Sequence, residues 1–201
     1  MCNLYRMTKN ATEVAHWFDA VNEVGGANTA GEVYPGTPGL VMAQGKVKAC
    51  TWGFPLQRKG AKGQPLKPKP VNNTRTDKLG SPFWKASFEK RRCLIPVGAF
   101  AEAEGERGAM TRTWFSHPED DLLAIAGIWR WSEEWGAVYS MVMTEACLDV
   151  EGVHDRSPVI VAAADRATWL GDDPGAALAL CRAWEGGLLV DRTDEPWAGR
   201  R

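Results

Sequence analysis

The sequence lacks the marks of membrane, secreted and zinc-binding proteins. No run of about 18 apolar residues occurs, which a membrane-spanning helix would need. The opening residues, MCNLYRMTKN, contain no apolar stretch of the kind found in signal peptides, so we expect a cytoplasmic protein. The 5 cysteines are widely spaced and form no C-x-x-C pair, which indicates neither a disulfide framework nor a zinc site.

The sequence also lacks a large net charge, since its 24 basic residues stand against 25 acidic ones. The distribution is uneven, however. Residues 46–92 contain thirteen Lys or Arg and two acids, and the rest contains eleven basic and twenty-three acidic residues. Such a segment is typical of a surface that binds a polyanion, but also of a solvated lysine-rich loop. With 201 residues, no repeat and no linker, we expect one domain.

Local patterns predict an α+β fold, with a mostly antiparallel, barrel-like β-sheet core and flanking helices. Asn10 and Glu13 resemble a capping box and open a predicted helix over 10–24. Residues 57–70 have no apolar periodicity and predict a mobile basic loop. The remaining elements follow no βαβ rhythm. Strands are predicted at 40–43, 47–53, 93–97, 111–115, 122–129, 137–144 and 158–163, and helices at 81–90, 165–170 and 174–184.

Cys2 is the first residue that suggests a chemical function. Methionine aminopeptidases remove Met1 when the second residue is small, and the mature chain would then begin with an amine and a thiol on one residue. Their ordinary pKa values, about 7.7–8.0 and about 8.5, leave reactive fractions of both at neutral pH. An aldehyde would form a Schiff base with the amine, and the thiol would close a thiazolidine ring. A cysteine at position 2 is also common by chance.

Four segments together show a resemblance to a known family. They are the opening Met1-Cys2-Asn3, the run VNNTRT at 71–76, the run RRCLIPVGAFAEA at 91–103, and the run HDRSPVIV at 154–161. With them the chain resembles, over nearly its whole length, the SRAP family, named for SOS response-associated peptidase. The resemblance implies covalent capture of abasic sites in single-stranded DNA by Cys2, and removal of Met1 by the protein itself. It implies no cofactor and no metal.

The resemblance also implies roles for four candidate catalytic residues. Cys2 would supply the amine and the thiol, and Asn73 would orient the N-terminal residue or the ring-opened sugar. Glu102 would be the general acid and base during Schiff-base formation. His154 would assist opening of the sugar and closure of the thiazolidine. Each of the last three also has a purely structural alternative. Asn73 is suited to cap a turn, Glu102 to lie at the surface with Glu104 as a rival carboxylate, and His154 to pack in a loop.

Three further residues are expected to contact DNA. Arg75 would hold a phosphate near the lesion. The alternative is that Arg75 is one more exposed cation without a DNA contact. Trp52 belongs to a weaker Trp-Gly match with the family. Many family members make a phosphate contact with an arginine at position 4, where this chain has Leu4, so this contact is either missing or moved to Arg6.

The sequence departs from the family pattern at several other positions. Asn3 stands where many members have glycine. Ala101 and Ala103 flank Glu102 where many members have aromatic residues, so we expect a wider or repacked pocket. The run Leu56-Gln57-Arg58-Lys59 replaces tryptophans, which weakens the case for a stacking wedge and shifts DNA binding toward charge.

Three other functions remain open from the sequence. An N-terminal-nucleophile amidohydrolase would share the mature cysteine, but it gives no account of the basic segment. A cysteine protease acting on other proteins would use Cys2 and His154. A non-covalent module for single-stranded DNA would leave Cys2 incidental. For the favoured function we expect a monomer whose partner is single-stranded DNA with abasic sites, with no membrane and no small-molecule cofactor. We place it in the cytoplasm, and at the nucleoid when bound to DNA.

Overall fold

A computed structural model describes residues 2–26 and 31–197. Strands dominate this part of the chain. Their bounds are Leu4–Met7 (β1), Val21–Asn22 (β2), Gly31–Val33 (β3), Pro38–Ala43 (β4), Lys46–Trp52 (β5), Phe54–Lys59 (β6), Pro65–Val71 (β7), Asn73–Arg75 (β8), Arg92–Val97 (β9), Ala99–Glu104 (β10), Thr111–Ser116 (β11), Leu123–Ser132 (β12), Gly136–Glu145 (β13), Arg156–Pro158 (β14) and Leu189–Pro196 (β15).

The helices of the described residues are short. They are Ala11–Trp17 (α1), Lys85–Lys90 (α2), Arg166–Leu170 (α3) and Pro174–Ala179 (α4), with single 3₁₀ turns at Thr76–Lys78 and Ala163–Asp165. None of these helices has the length and hydropathy needed to span a membrane.

Five strands close into a barrel. Antiparallel pairs join β13 to β12, β12 to β9, β9 to β4 and β4 to β5, and a parallel pairing of β5 with β13 completes the ring. A second, antiparallel sheet has the order β15-β11-β10-β1-β3. Tyr5, Phe100 and Phe115 of this sheet share one apolar core with barrel residues such as Ile95 and Met141. The predicted α+β class, with a mostly antiparallel barrel-like sheet and flanking helices, is confirmed.

The first helix begins as predicted but ends early. The Asn10 side chain accepts the N–H of Glu13 at 3.0 Å, and the Glu13 carboxylate accepts the N–H of Asn10 at 2.8 Å, which confirms the capping box. The helix ends at Trp17, so the prediction to residue 24 was wrong. Asp19 has φ of 50°, a left-handed conformation that stops a helix. Val21 then begins β2, with an exposed side chain.

The predicted mobile loop at 57–70 is instead part of a two-stranded hairpin. Strands β6 and β7 pair antiparallel, with Phe54 opposite Val71 at the base. The buried ring of Phe54 packs against Trp84 and belongs to the same apolar core as the barrel residues. Prolines do not donate to a sheet ladder, but an isolated pair of strands has a free edge on each side where they are tolerated. We call residues 54–71 the basic hairpin.

Several other element predictions were wrong in extent. Helix α2 begins at Lys85, whereas the prediction began at 81, and α4 ends at Ala179. The predicted strand over 158–163 is reduced to β14 and a single bridge between Ile125 and Ile160. Strands β1 and β10 were not predicted, yet their pairing positions the candidate site.

Candidate active site

The pairing of β1 with β10 places the N-terminal residues beside Glu102. Leu4 is opposite Ala101 in antiparallel register, so the chain before Leu4 runs past the next residue of β10, which is Glu102. Cys2 is fully buried, and its Sγ donates to the carbonyl of Leu4 at 3.4 Å. Burial raises the pKa of the Cys2 thiol, and the nearby Glu102 charge raises it further. The thiol is therefore held in its protonated form.

Two asparagines hold the Cys2 carbonyl. Asn73 Nδ2 donates to this oxygen at 2.6 Å, and Asn72 Nδ2 donates to it at 3.0 Å. Asn72 Nδ2 also donates to Asn3 Oδ1 at 3.1 Å. The Oδ1 atom of Asn73 is buried and has no hydrogen-bond partner in the described part of the chain. A buried acceptor of this kind is an available binding group, because it costs free energy until a donor reaches it.

Asn72 and Asn73 are held in place by contacts with the barrel. Asn73 pairs with Met141 in the parallel register of β8 and β13. The carbonyl of Asn72 accepts the N–H of Met141 at 2.9 Å and the indole N–H of Trp52 at 2.9 Å. Trp52 is fully buried and stacks on Tyr139. In this structure Trp52 has no exposed surface for a base, so its link to the site runs through Asn72.

Glu102 is a buried carboxyl with a perturbed pKa. Its side chain is 2 % exposed, and burial raises its pKa from 4.5 to about 7. The negative charge of Asp155 acts in the same direction. A carboxyl that titrates near neutrality is suited both to accept and to donate a proton under physiological conditions. This places acid and base capacity beside Cys2.

His154 joins the site from the other edge of β13. Strand β14, which follows His154, pairs with the end of β13 that also pairs with β8. The Nδ1 atom of His154 accepts the N–H of Arg156 at 3.0 Å and lies 2.8 Å from a carboxylate oxygen of Asp155. Partial burial lowers the pKa of His154 below its ordinary 6.5, so the neutral imidazole predominates at pH 7.

Two of the cations that were expected to bind phosphate are already paired with carboxylates. Arg75 is exposed and donates to both oxygens of Asp77 at 2.8 Å. Arg6 lies over the ring of Trp114, 3.7 Å from its centroid, and donates to Glu195 at 3.1 Å. A phosphate would have to compete with these carboxylates, so the DNA-binding roles of Arg6 and Arg75 stay predictions.

Two departures from the family pattern lie against each other. Leu4 and Ala101 form a small buried cluster with Trp114, and Trp197 packs against it. The ring of Trp114 is nearly fully buried and fills space beside the small Ala101 side chain. Trp114 therefore packs on this face of β1 and β10, and the expectation of a wider or repacked pocket stays a prediction.

The basic hairpin carries an accessible set of positive charges. It contains five cations and no acidic residue. Within residues 2–26 and 31–197, none of the five forms an ion pair, and all five are exposed. They are Arg58, Lys59, Lys62, Lys67 and Lys69.

Sequence reasoning missed Asn72, and the only local signal was the Asn-Asn pair at 72–73. The structure brings Cys2, Asn73 and Glu102 together. His154 is near them, because its neighbour Asp155 lies close enough for its charge to act on Glu102. We call Cys2, Asn73, Glu102 and His154 the N-terminal pocket. No group of three or more His, Cys, Asp or Glu side chains suited to a metal ion occurs among the described residues.

Comparison with known proteins supports one family. The sequence model of a family described as "SOS response associated peptidase (SRAP)" matches residues 1–190. None of the curated proteins is significantly similar in sequence to this chain.

Solved structures from two bacteria have a similar fold. A protein from Bacteroides thetaiotaomicron is 17 % identical with a TM-score of 0.79, covering 96 % of this chain and 93 % of its own. A protein from Bordetella bronchiseptica is 20 % identical with a TM-score of 0.79, covering 96 % and 99 %. A phage-related protein from the same organism is 16 % identical with a TM-score of 0.67, covering 96 % and 94 %. At these identities the likeness shows the fold alone.

Proposed function

This chain belongs to the SOS response associated peptidase (SRAP) family, and we propose that it captures abasic sites in single-stranded DNA by bonding covalently to Cys2 after removing its own Met1. The main support is Glu102, a buried carboxyl with a pKa of about 7, beside a cysteine whose carbonyl is held by two asparagines. This arrangement provides a fixed nucleophile and a proton carrier in one place.

The first step exposes the nucleophile. Hydrolysis of the Met1–Cys2 peptide bond consumes one water and releases methionine, which leaves a free α-amine on Cys2. Ionised Glu102 accepts a proton from the ammonium form of this amine. The buried Oδ1 of Asn73 is an additional acceptor for an N–H of the amine.

The second step forms the covalent link. An abasic sugar equilibrates between a closed ring and an open aldehyde, and neutral His154 assists opening by moving the hydroxyl proton. The Cys2 nitrogen adds to the aldehyde carbon, and Glu102 donates a proton to the departing hydroxyl, so that water leaves and a Schiff base remains. Sγ then adds to the same carbon, and the thiol proton passes to the nitrogen. The thiazolidine contains no imine, so it does not promote β-elimination of the strand.

The basic hairpin is the proposed binding element for the DNA backbone. Its second strand ends at Val71, directly before the asparagines that hold Cys2, so phosphates on the hairpin would lie close to the N-terminal pocket. Exposed Lys and Arg side chains attract phosphates without reading base sequence. Binding of this kind weakens as salt rises.

The test is the intact mass of the purified protein before and after incubation with single-stranded DNA that carries one abasic site. We expect a chain without Met1, and then an adduct whose mass is the sum of the two molecules minus one water. Cys2→Ala should abolish the adduct, whereas Cys181→Ala, the matched control at a cysteine far along the chain, should retain it. Borohydride should leave the mass unchanged for a thiazolidine and add two hydrogens to an open Schiff base.

Other outcomes would favour the other functions. A chain that loses Met1 but forms no adduct would contradict the proposal and favour an amidohydrolase. A chain that keeps Met1 and shows only salt-sensitive binding would favour a non-covalent DNA-binding module. A chain that keeps Met1 and still forms the same adduct would contradict the proposed role of the N-terminal amine.

A further inference from the structure

Asn72 uses both N–H groups of its side chain to hold the N-terminal residues. Its Nδ2 donates to the Cys2 carbonyl at 3.0 Å and to Asn3 Oδ1 at 3.1 Å. A side-chain amide nitrogen has two hydrogens, so its donor capacity is fully used. The Asn-x-Arg match to the family places Asn73, not Asn72, at the motif position. Asn3 is itself a departure from the family pattern, so the two residues that meet here lie outside that pattern.

The backbone of Asn72 is held as firmly as its side chain. Its carbonyl accepts the N–H of Met141 and the indole N–H of Trp52, each at 2.9 Å. Trp52 is in turn fixed in the core by Tyr5 and Tyr139. The amide of Asn72 therefore extends toward Cys2 from a point with little freedom to move.

Fixing the Cys2 carbonyl limits the motion of both reacting atoms. The nitrogen and the thiol of Cys2 are attached through one Cα, and this Cα is bonded to the held carbonyl carbon. Once Met1 is removed, the residue is a chain terminus and would otherwise rotate freely. Because a held residue is already ordered in the folded protein, less entropy is lost when it reacts.

We propose that Asn72, supported from behind by Trp52, is a positioning residue for Cys2 in adduct formation. This inference rests on the proposed function. Asn73 holds the same carbonyl at 2.6 Å, so Asn72 supplies the second of two hydrogen bonds to one oxygen. The two asparagines then fix the peptide plane more closely than either does alone.

The test separates the rate of reaction from the affinity for DNA. Asn72→Ala should lower the rate constant for adduct formation at saturating abasic DNA by about tenfold, the expected effect of one lost hydrogen bond. The DNA concentration that gives half the maximal rate should stay unchanged. Asn72→Asp keeps the size of the side chain but presents only acceptor oxygens and a negative charge to the Cys2 carbonyl, so its loss should be at least as large. Asn3→Ala, which leaves the bond to Cys2 intact, should change the rate by less than about twofold.

Trp52→Phe tests whether Trp52 holds Asn72 in position. It removes the indole N–H that reaches Asn72 together with part of the fully buried ring, and we expect a smaller loss of rate than for Asn72→Ala with an unchanged half-saturating DNA concentration. A higher half-saturating concentration would instead indicate direct binding of DNA by Trp52 and contradict this part of the inference. Thermal unfolding of each variant shows that the measured chain is folded.

A second readout does not depend on DNA. With ¹³C-labelled cysteine carbonyls, the Cys2 signal, identified by its loss in Cys2→Ala, should shift in Asn72→Ala. An adduct that forms equally fast in the wild type and in Asn72→Ala would overturn the inference and leave the proposed function standing. A wild type that forms no adduct would overturn both, even if the carbonyl signal shows the predicted contact.

Discussion

The N-terminal pocket and the basic hairpin meet at Asn72, but they use their polar groups in opposite ways. In the pocket, Cys2 and Glu102 are almost fully removed from water, and the Cys2 carbonyl is held by two side-chain amides. On the hairpin, five exposed cations have no ion-pair partner among the described residues. One region is organised before any ligand arrives, and the other keeps its charges available.

Because one region is buried and the other exposed, substitutions in the two regions should change different measured quantities. Burial shifts pKa values and strengthens electrostatic interactions, so changes in the pocket should alter the rate of the covalent step. Exposed charges are screened by salt, so changes on the hairpin should alter affinity and its salt dependence. Three variants, one of them a double substitution, test this separation.

The largest effect is expected from Glu102→Gln. The amide has the size of the carboxyl but carries no titratable proton near pH 7, so the rate of adduct formation at saturating DNA should fall by about 10²-fold or more. DNA affinity should be unchanged, because Glu102 is buried. Rates should be measured by intact mass over time at several DNA concentrations. A variant that loses affinity and keeps its rate would break the comparison.

The same variant provides a stability control with a defined sign. The folded chain holds the Glu102 proton up to about pH 7, whereas an unfolded chain releases it near 4.5. The free energy of unfolding of the wild type should therefore fall as pH rises from 4.5 to 7, and Glu102→Gln should lack this contribution. The pKa difference corresponds to about 3 kcal/mol. Denaturant unfolding of both proteins at pH 4.5 and pH 8 measures it, and parallel pH profiles would contradict the raised pKa.

An intermediate effect is expected from the double variant Lys67→Ala/Lys69→Ala. Both side chains are exposed on β7, and their loss should weaken binding of single-stranded DNA about tenfold at low salt. The slope of log affinity against log salt should decrease by about 1.4, since each neutralised phosphate of a single strand contributes about 0.7. Fluorescence anisotropy at several salt concentrations gives both quantities.

The matched control is Lys46→Ala/Lys48→Ala. These two lysines belong to the same basic segment, but both pair with Glu23. Removing them changes the total charge equally and should leave DNA affinity and the salt slope nearly unchanged. Equal losses in the two double variants would show that total charge, not the hairpin, governs binding.

The predictions from sequence succeeded where the signal was local. The capping box at Asn10, the strands of the barrel and the family pattern are all readable from short segments, and the fold class and the family are confirmed. The assigned roles of the site residues stay predictions. Strand β10 was missed because AFAEAE is rich in helix-favouring Ala and Glu, and its extended form is set by pairing with β1 and β11.

The features that were missed depend on contacts between distant parts of the chain. Asn72 lies 70 residues from the Cys2 carbonyl that it holds, and no local pattern encodes that distance. The basic hairpin was taken for a loop because its prolines hide the pairing of two strands. Arg6 was expected to be available to DNA, but its partner Glu195 lies 189 residues away.

The smallest effect is expected from Arg6→Ala. The guanidinium is stacked on Trp114 and paired with Glu195, so its charge is neutralised before DNA arrives. DNA affinity should change by less than about twofold, compared in the same anisotropy assay with the single variant Lys69→Ala. Glu195→Gln is a useful companion variant, because it removes the negative charge that pairs with Arg6 and leaves Arg6 itself in place. If Glu195→Gln tightens binding and Arg6→Ala reverses the gain, Arg6 is a phosphate ligand that the carboxylate of β15 competes for. Arg6→Ala alone could instead weaken binding as much as Lys69→Ala does. That result would mean that Arg6 exchanges Glu195 for a phosphate in the complex. Ion pairing in the free protein would then not determine which cations bind DNA.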